Sequence, residues 1–476
     1  MFRKGQEIEV EISDYAFEGK GIARINYRDD AKKFIVFVNQ AYPGDIAKVM
    51  ITKVKKSFAE AKIVELIKSS DDRTKAVCKH FGVCGGCKSQ DLQYSVQVAY
   101  KEKQVRDIFE RLGGLTNFEF LPIQSSENYF NYRNKMEYTF SNKRWITNKE
   151  IEKGVEISDR DFALGLHIPR IYDKVVDIYE CHLQPKIGDK ILNFTRDFFK
   201  SRKTTVFSTT TQEGFLRNLV IKSGAASKDL MVNLVTSSEN DELIHEFSDS
   251  LQSHFPEITT FVQNINLKKS QTAFGDYEKI WFGSGQITDK IDDKTYKISS
   301  NSFFQTNTPQ ATKLFQIAVE FADFTKTDSV YDLYSGAGTI AIYIADKVKT
   351  VFAVESVDDA VGDAKQNMKL NNIENIVFVK ADLNKSILPK IEEMKITKPD
   401  VIIADPPRAG MNPNTVKDIL TLQPQKVVYI SCNPTTQVRD INLLSEKYDL
   451  IKIQPVDMFP HTYHIENVAL LKLKSI

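Results

Sequence analysis

The chain has 476 residues, 42% of them hydrophobic, with 64 Lys and Arg against 63 Asp and Glu and a formal net charge of +1. That length and apolar content exclude a disordered chain and predict about two to four domains, each with its own core. The near-neutral balance excludes gripping a polyanion by overall charge, so a nucleic acid would have to meet a local basic face.

No basic-then-apolar segment opens the chain and no apolar run reaches membrane length, which predicts a cytoplasmic protein with no membrane contact. Five cysteines, an odd number, suit a reducing compartment and metal or cluster ligation better than disulfides. No internal repeat or low-complexity tract is present, and nothing demands an obligate protein partner, so a monomer is expected.

Residues 1–67 alternate in Glu7 to Ile12, Phe34 to Val38, Asp45 to Ile51 and Ala59 to Ile67, with breaks at Gly19-Lys20-Gly21 and Pro43-Gly44. Period-two runs between turn residues predict a small antiparallel barrel. The segment from Tyr15 to Arg24, the Val36-Phe37-Val38 strand and the Tyr42-Pro43-Gly44-Asp45 turn resemble a TRAM domain, an OB-like barrel that binds RNA in its families. Aromatic and basic residues on such a barrel suit stacking on bases and contact with phosphates.

Residues 68–300 read as a central α+β domain. It opens with Cys78-x5-Cys84-x2-Cys87, whose intervening Gly82, Gly85 and Gly86 let the backbone wrap closely around a bound group. Zinc and a four-iron cluster both need a fourth ligand, and Cys181 in Glu180-Cys181-His182 is the candidate apart from Cys432. Spacing alone leaves zinc and iron-sulfur open. The pattern from Gln90 to Leu112 predicts one amphipathic helix closed by Gly113-Gly114 and packed on another domain. Strands are expected near Tyr132 to Phe140, Phe162 to His167, Leu216 to Lys222, Leu230 to Val235 and Thr259 to Leu267. Helices are expected near Ile187 to Lys200 and Glu242 to His254. Thr147 to Asp159, charged and poor in apolar residues, is expected to be an inserted surface hairpin or loop.

Residues 301–476 change rhythm to strand, turn, helix, repeated, which predicts a doubly wound α/β sheet with ligands at the carboxyl ends of its strands. Leu450 to Gln454 and Asn467 to Leu473 leave no room for a helix between them and predict a closing antiparallel hairpin, a mark of class I methyltransferases rather than dehydrogenases.

The chemistry gathers in this last part. Asp332-Leu333-Tyr334-Ser335-Gly336-Ala337-Gly338 follows the first strand, where glycines let a nucleoside lie against the backbone, and Glu355 ends the second strand, where an acid can accept both ribose hydroxyls. No third glycine follows, so S-adenosylmethionine fits better than a dinucleotide. Asp405-Pro406-Pro407-Arg408 ends the fourth strand. Arg408 stands where amino-group methyltransferases carry a stacking aromatic residue, which argues against that chemistry. Phe303-Phe304-Gln305 could cover the cofactor with an aromatic and an amide. Lys426 to Ile430 reads as a buried strand that stops at Ser431-Cys432-Asn433-Pro434 and delivers a thiol to a turn. A following helix N-terminus is expected to enlarge its thiolate fraction. Glu466 precedes the last strand, at the sheet edge that carries Cys432. His461 and His464 read as loop or core histidines rather than metal ligands.

In joint order these motifs resemble the RNA uracil-5 methyltransferases, most closely the iron-sulfur-containing 23S ribosomal RNA branch, over nearly the whole chain. The resemblance implies an S-adenosylmethionine-dependent enzyme with Cys432 as nucleophile and Glu466 as base. It implies cofactor contacts from Gln305, Tyr334, Glu355 and Asp405, with Asp382 a lesser candidate, and a [4Fe-4S] cluster on Cys78, Cys84, Cys87 and Cys181. Uracil C5 is a poor nucleophile, so a thiolate adding at C6 is needed to push electron density onto it. The expected partner is RNA, 23S rRNA first, with a tRNA T-loop uridine as the alternative. A non-catalytic iron-sulfur RNA-binding redox sensor is a reading of another class, and the Cys432 and Glu466 pair weighs against it.

Overall fold

Alternating side chains build the N-terminal sheet. In the computed structural model, which describes residues 2–26, 33–152, 154, 159–169, 171–269 and 272–475, it comprises β1 (Glu7–Glu11), β2 (Asp14–Ala16), β3 (Lys20–Ile25), β4 (Phe34–Asn39), β5 (Ile46–Val54) and β6 (Phe58–Lys68) in the order β1-β5-β6-β4-β3-β2. Val10, Ile12, Val36, Val38, Val49 and Ile51 fill its core. One pairing departs from the expected antiparallel pattern: β6 inserts between β5 and β4 and runs parallel to β4.

Helix α1 (Tyr94–Asp107) ends in a π-helical turn over Ile108–Leu112 before Gly113. The expected helix is there, but most of its buried face is polar: Gln97, Lys101 and Gln104 lie inside with Val105. Those groups are satisfied by other parts of the chain, as a buried polar group requires. Gln104 Nε2 donates to the carbonyls of Tyr15 and Ala16 in the barrel, and Lys101 pairs with Asp457.

After β7 (Glu119–Phe120), the central sheet comprises β8 (Lys135–Ser141), β9 (Ala163–Ile168), β10 (Ile171–Asp177), β11 (Leu216–Ser223), β12 (Leu230–Thr236), β13 (Thr260–Ile265) and β14 (Tyr277–Phe282), ordered β10-β9-β8-β11-β12-β13-β14. Helices α3 (Lys186–Ser201) and α4 (Asp241–His254) cover it with Phe198, Phe199 and Phe247. A short helix α2 (Asn148–Glu152) begins the expected insertion; residues 153 and 155–158 of that stretch lie outside the described residues. Strands β10 and β14 were not expected. Neither was the hairpin of β15 (Gln286–Ile291) and β16 (Lys294–Ser299), whose Ile287, Ile291, Tyr296 and Ile298 pack into the core of the last sheet.

That sheet comprises β17 (Ser329–Leu333), β18 (Thr350–Glu355), β19 (Ile376–Lys380), β20 (Val401–Ala404), β21 (Lys426–Ser431), β22 (Tyr448–Val456) and β23 (Glu466–Leu473). Its order is β19-β18-β17-β20-β21-β23-β22-β7, parallel from β19 to β21, with the expected closing hairpin antiparallel. Helices α5 (Thr308–Ala322), α6 (Thr339–Ile344), α7 (Asp358–Leu370), α8 (Leu388–Glu393), α9 (Pro413–Leu422) and α10 (Pro434–Leu444) complete the element order. Hydrophobic clusters lie on both faces, as a mostly parallel sheet demands. Among the described residues no helix is long and apolar enough to cross a membrane.

Candidate active site

Strand register brings the predicted residues to one edge. Leu333 pairs with Val354 and with Ala404, and Ala404 with Tyr429, so the chain leaving β17, β18 and β20 sets Tyr334, Glu355 and Asp405 side by side at the carboxyl ends. Ser431 pairs with Asn467 in the antiparallel β21–β23 ladder, and one further step sets Cys432 opposite Glu466. Residues more than a hundred positions apart thus face one crevice at the place an open α/β sheet reserves for ligands. Asp382, just beyond β19, lies toward the same edge and is exposed; its carboxylate accepts from Asn384 N.

Cys432 sits before a capped helix. Asn433 accepts from Thr435 N through its side chain, and Pro434 fills the first helical position, where a missing N–H costs nothing. The thiol is nevertheless held up at about 11, by burial first and then by the Glu466 and Asp405 carboxylates, with Arg408 opposing. The expected helix-driven enlargement of the thiolate is therefore corrected: low dielectric and two carboxylates outweigh one helix terminus.

The carboxylates are shifted too. Glu466 is raised well above its ordinary range by burial, then by Asp405, against Arg408. Burial pushes Asp405 up to about 7, although part of its surface opens into the crevice. Asp332, inside β17, is pushed up to about 8 by burial and by Asp405. It accepts from Ala341 N at 3.0 Å through one oxygen, while the other is buried with no partner. The sequence reading placed Asp332 only as the start of a motif; this orphan acceptor is a reason to count it in the site. Glu355 accepts from Gly336 N at 2.9 Å. A Cβ on Gly336 would meet nothing within 4 Å, whereas on Gly338 it would lie 3.0 Å from Ala364 Cβ. The first glycine thus borders open space and the second lets a helix pack. An orphan acid, an acid at the second strand's end and an uncovered backbone fit a nucleoside carrying a cationic group.

Gln305 is held by its backbone, whose carbonyl accepts from the Nδ2 of Asn134, one residue before β8, at 2.9 Å. Two residues on, Asn307 Nδ2 donates to the Met458 carbonyl. The loop therefore runs beside the segment that leads to Glu466. Tyr334 has φ +65°, the left-handed region that non-glycine residues rarely enter, and its hydroxyl lies 3.2 Å from Thr415 Oγ1. Arg408 was read only as the residue that replaces an aromatic. Its carbonyl accepts from Asn433 Nδ2 and Thr436 Oγ1, and its Nη2 lies 3.0 Å from His464 Nδ1.

Cys78, Cys84, Cys87 and Cys181 come together as expected, lining one cavity of about 410 Å³ with Arg133 and Leu166. Burial raises all four thiols, Cys84 to about 11 and Cys181 to about 12, and neighbouring thiols of the set raise Cys84, Cys87 and Cys181 further. Gly86 N lies 3.3 Å from Cys84 Sγ and Gln90 Nε2 lies 3.7 Å from Cys87 Sγ. Among the described residues no three His, Cys, Asp or Glu side chains are close enough to hold a single metal ion. The cysteine loop, remote in sequence from the active site, touches it in space. Lys88 N and Ser89 N both donate to the His461 carbonyl, at 2.7 and 3.2 Å, and Tyr132 Oη donates to the Pro460 carbonyl.

The sequence matches the tRNA (Uracil-5-)-methyltransferase family over residues 225–474 and the TRAM domain over residues 2–64. The chain belongs to the uracil-5 methyltransferase family. This RNA (uracil-5-)-methyltransferase is similar to a protein of Bacteroides thetaiotaomicron described as an uncharacterized RNA methyltransferase, with 41% identity over 96% of this chain and 100% of that one. A protein of Porphyromonas gingivalis with the same description is also 41% identical, over 97% of this chain and 99% of its own length. Among solved structures, the Pyrococcus abyssi tRNA (uracil-54, C5)-methyltransferase in complex with S-adenosyl-L-homocysteine superposes with a TM-score of 0.72 at 28% identity, covering 98% of this chain and 100% of that one.

Proposed function

We propose that this methyltransferase transfers a methyl group from S-adenosylmethionine to C5 of a specific uridine in RNA, with Cys432 as nucleophile and Glu466 as base. The observation that carries the reading is the strand register that brings thiol and carboxylate together at the carboxyl edge of the sheet, where the Glu466 carboxylate acts on the Cys432 thiol. Cys432, once deprotonated, adds to C6 of the uracil, and the C5–C6 electron pair moves toward C5. Arg408, whose charge acts on the same thiol, favours the thiolate. S-adenosylmethionine would supply the methyl as a sulfonium electrophile: C5 bonds to it as the S–CH3 bond breaks, the electron pair stays on sulfur and neutral S-adenosylhomocysteine departs. Glu466 then removes the C5 proton, the C6–S bond breaks and Cys432 leaves as thiolate. A carboxylate raised by burial is a stronger base than an exposed one, which suits that proton. Gln305, Tyr334, Glu355 and Asp405 hold the cofactor, with Asp332 added by its orphan oxygen and Asp382 at the margin.

The four-cysteine cavity is assigned to a [4Fe-4S] cluster. A cube of iron and sulfide keeps its ligands farther apart than a single zinc does. Four thiols around one cavity supply the full ligand set of such a cluster. The cluster would hold the loop by its sulfurs; no step of the methyl transfer needs its electrons.

For the target, 23S rRNA is the first reading, supported by the resemblance of the cysteine pattern and motif series to that branch. A tRNA T-loop uridine is the second, favoured by the full-length likeness to the Pyrococcus abyssi enzyme. Methyl transfer from labelled S-adenosylmethionine to 23S rRNA fragments and to tRNA transcripts, with the product located by mass spectrometry, separates them. Label at a position other than uridine C5 would sink both.

A further inference from the structure

At the mouth of the crevice the ring of His464 is half-buried between Tyr463, whose centroid lies 4.1 Å away, and Phe459 at 6.0 Å, with Arg408 Nη2 3.0 Å from its Nδ1. The strongest charges acting on this ring are cationic: Arg408, Lys101, Arg133 and Lys88. With burial as the largest cause, they hold the imidazole at about 3, so it is neutral at working pH. The Lys101 ammonium and the Asp457 carboxylate form a buried pair at 2.6 Å. The other three come from different parts of the chain. Lys88 belongs to the cysteine loop, Arg133 precedes β8 of the central sheet, and Arg408 follows β20.

Side-chain packing agrees with this convergence. A Cβ on Gly19, in the barrel turn before β3, would lie 3.7 Å from Tyr463 Cβ and 3.8 Å from Lys88 Cβ, and the residue before Arg133 bonds to the Pro460 carbonyl. Among the described residues neither Arg133 nor Arg408 has a carboxylate partner. Arg133 spends its Nε on the Lys135 carbonyl, and the residue also borders a groove of about 900 Å³ whose lining balances Lys228 and Lys313 against Glu127, Asp229 and Glu257. Arg408 acts on Cys432 and Glu466 and Arg133 borders the four-cysteine cavity, yet neither is locked in a direct ion pair among the described residues, so both are placed to donate to a phosphodiester at this mouth.

We infer that Arg133, Lys88 and Arg408, gathered around His464, form a subsite for an RNA backbone phosphate beside the target uridine. The inference rests on the RNA-methylating reading and adds to it the place where the strand is gripped. Phosphate contacts fix register without reading sequence, so this subsite positions the uridine over Cys432 rather than selecting its neighbours.

The test is fluorescence anisotropy of a labelled single-stranded RNA bearing one uridine, titrated with the full chain at several salt concentrations. Cofactor binding by calorimetry checks that each variant is folded. Arg133→Ala is expected to weaken binding about tenfold and to reduce the slope of log affinity against log salt by about 0.7. Arg133→Gln, which can still donate to the Lys135 carbonyl, covers the case in which the alanine variant does not fold, and the same loss is expected. A methylphosphonate at the phosphate 5′ or 3′ of the uridine should weaken the wild-type chain by a similar factor and the Arg133 variant by much less. Equal salt slopes for wild type and folded variants, or methylphosphonate penalties that simply add to the Arg133 loss, would overturn the subsite while leaving the methyltransferase reading intact. A wild-type chain that neither binds nor methylates any RNA would overturn both.

Discussion

Two buried thiol environments stand side by side in this protein. In both, burial is the first cause that suppresses ionisation; the second cause differs. Around Cys432 it is a pair of carboxylates, Glu466 and Asp405, whereas around Cys87 and Cys181 it is other cysteines. The same side chain at similar depth is thus directed to different chemistry by its company. On the proposed reading, a thiol facing a base and a guanidinium is arranged for a covalent bond that must later break, and thiols facing one another are arranged for a cation that neutralises them all. Neither environment ionises its sulfur unaided.

The comparison breaks hardest at Cys432. Cys432→Ala should lower methylation at least about a thousandfold and abolish covalent capture of 5-fluorouridine-substituted RNA, with iron content unchanged. A variant retaining normal turnover would contradict the assignment. Glu466→Gln should slow release by about a hundredfold or more, so that a covalent protein–RNA adduct accumulates on denaturing gels. An adduct level equal to wild type would remove Glu466 from the role of base. On the other side, Cys181→Ser or iron chelation should take the metal from about four irons per chain toward none and lower the melting temperature by roughly 10 °C or more. Elemental analysis that finds one zinc instead would return the site to the alternative left open by spacing.

The smallest effect concerns pH. Asp405 and Asp332 titrate at about 7 and about 8 in the folded chain, against an ordinary value of 3.8. Between those limits the folded state binds more protons than the unfolded one, so stability falls as pH rises from about 4 to about 8. Asp332→Asn should flatten that fall, read as melting temperature against pH. An unchanged slope would show that the carboxylate is not the group responsible.

Much of this was legible before folding, because the signals are local. Period-two alternation marked the barrel, the βα rhythm marked the last sheet, and the turns carrying Tyr334, Asp405 and Cys432 fall where strands end. What escaped depends on tertiary company. The hairpin of β15 and β16 has little apolar run to announce it, since its Ile and Tyr residues are separated by lysines and aspartates and find their core elsewhere. The polar face of α1 gives no amphipathic stripe where Gln97, Lys101 and Gln104 turn inward toward other segments. The direction of the Cys432 shift was misjudged because a helix terminus is visible next door in sequence, whereas Glu466 arrives from another strand.

The shared carbonyl of His461 has a consequence for how this chain can change. Two amides just past Cys87 bind it, and five residues later the backbone presents Glu466. Substitutions that shift residues 88–97 therefore require answering ones in 457–466. A directed-evolution screen for faster turnover should recover them in matched pairs, and grafting either segment alone from a distant relative should yield a poorer catalyst than grafting both.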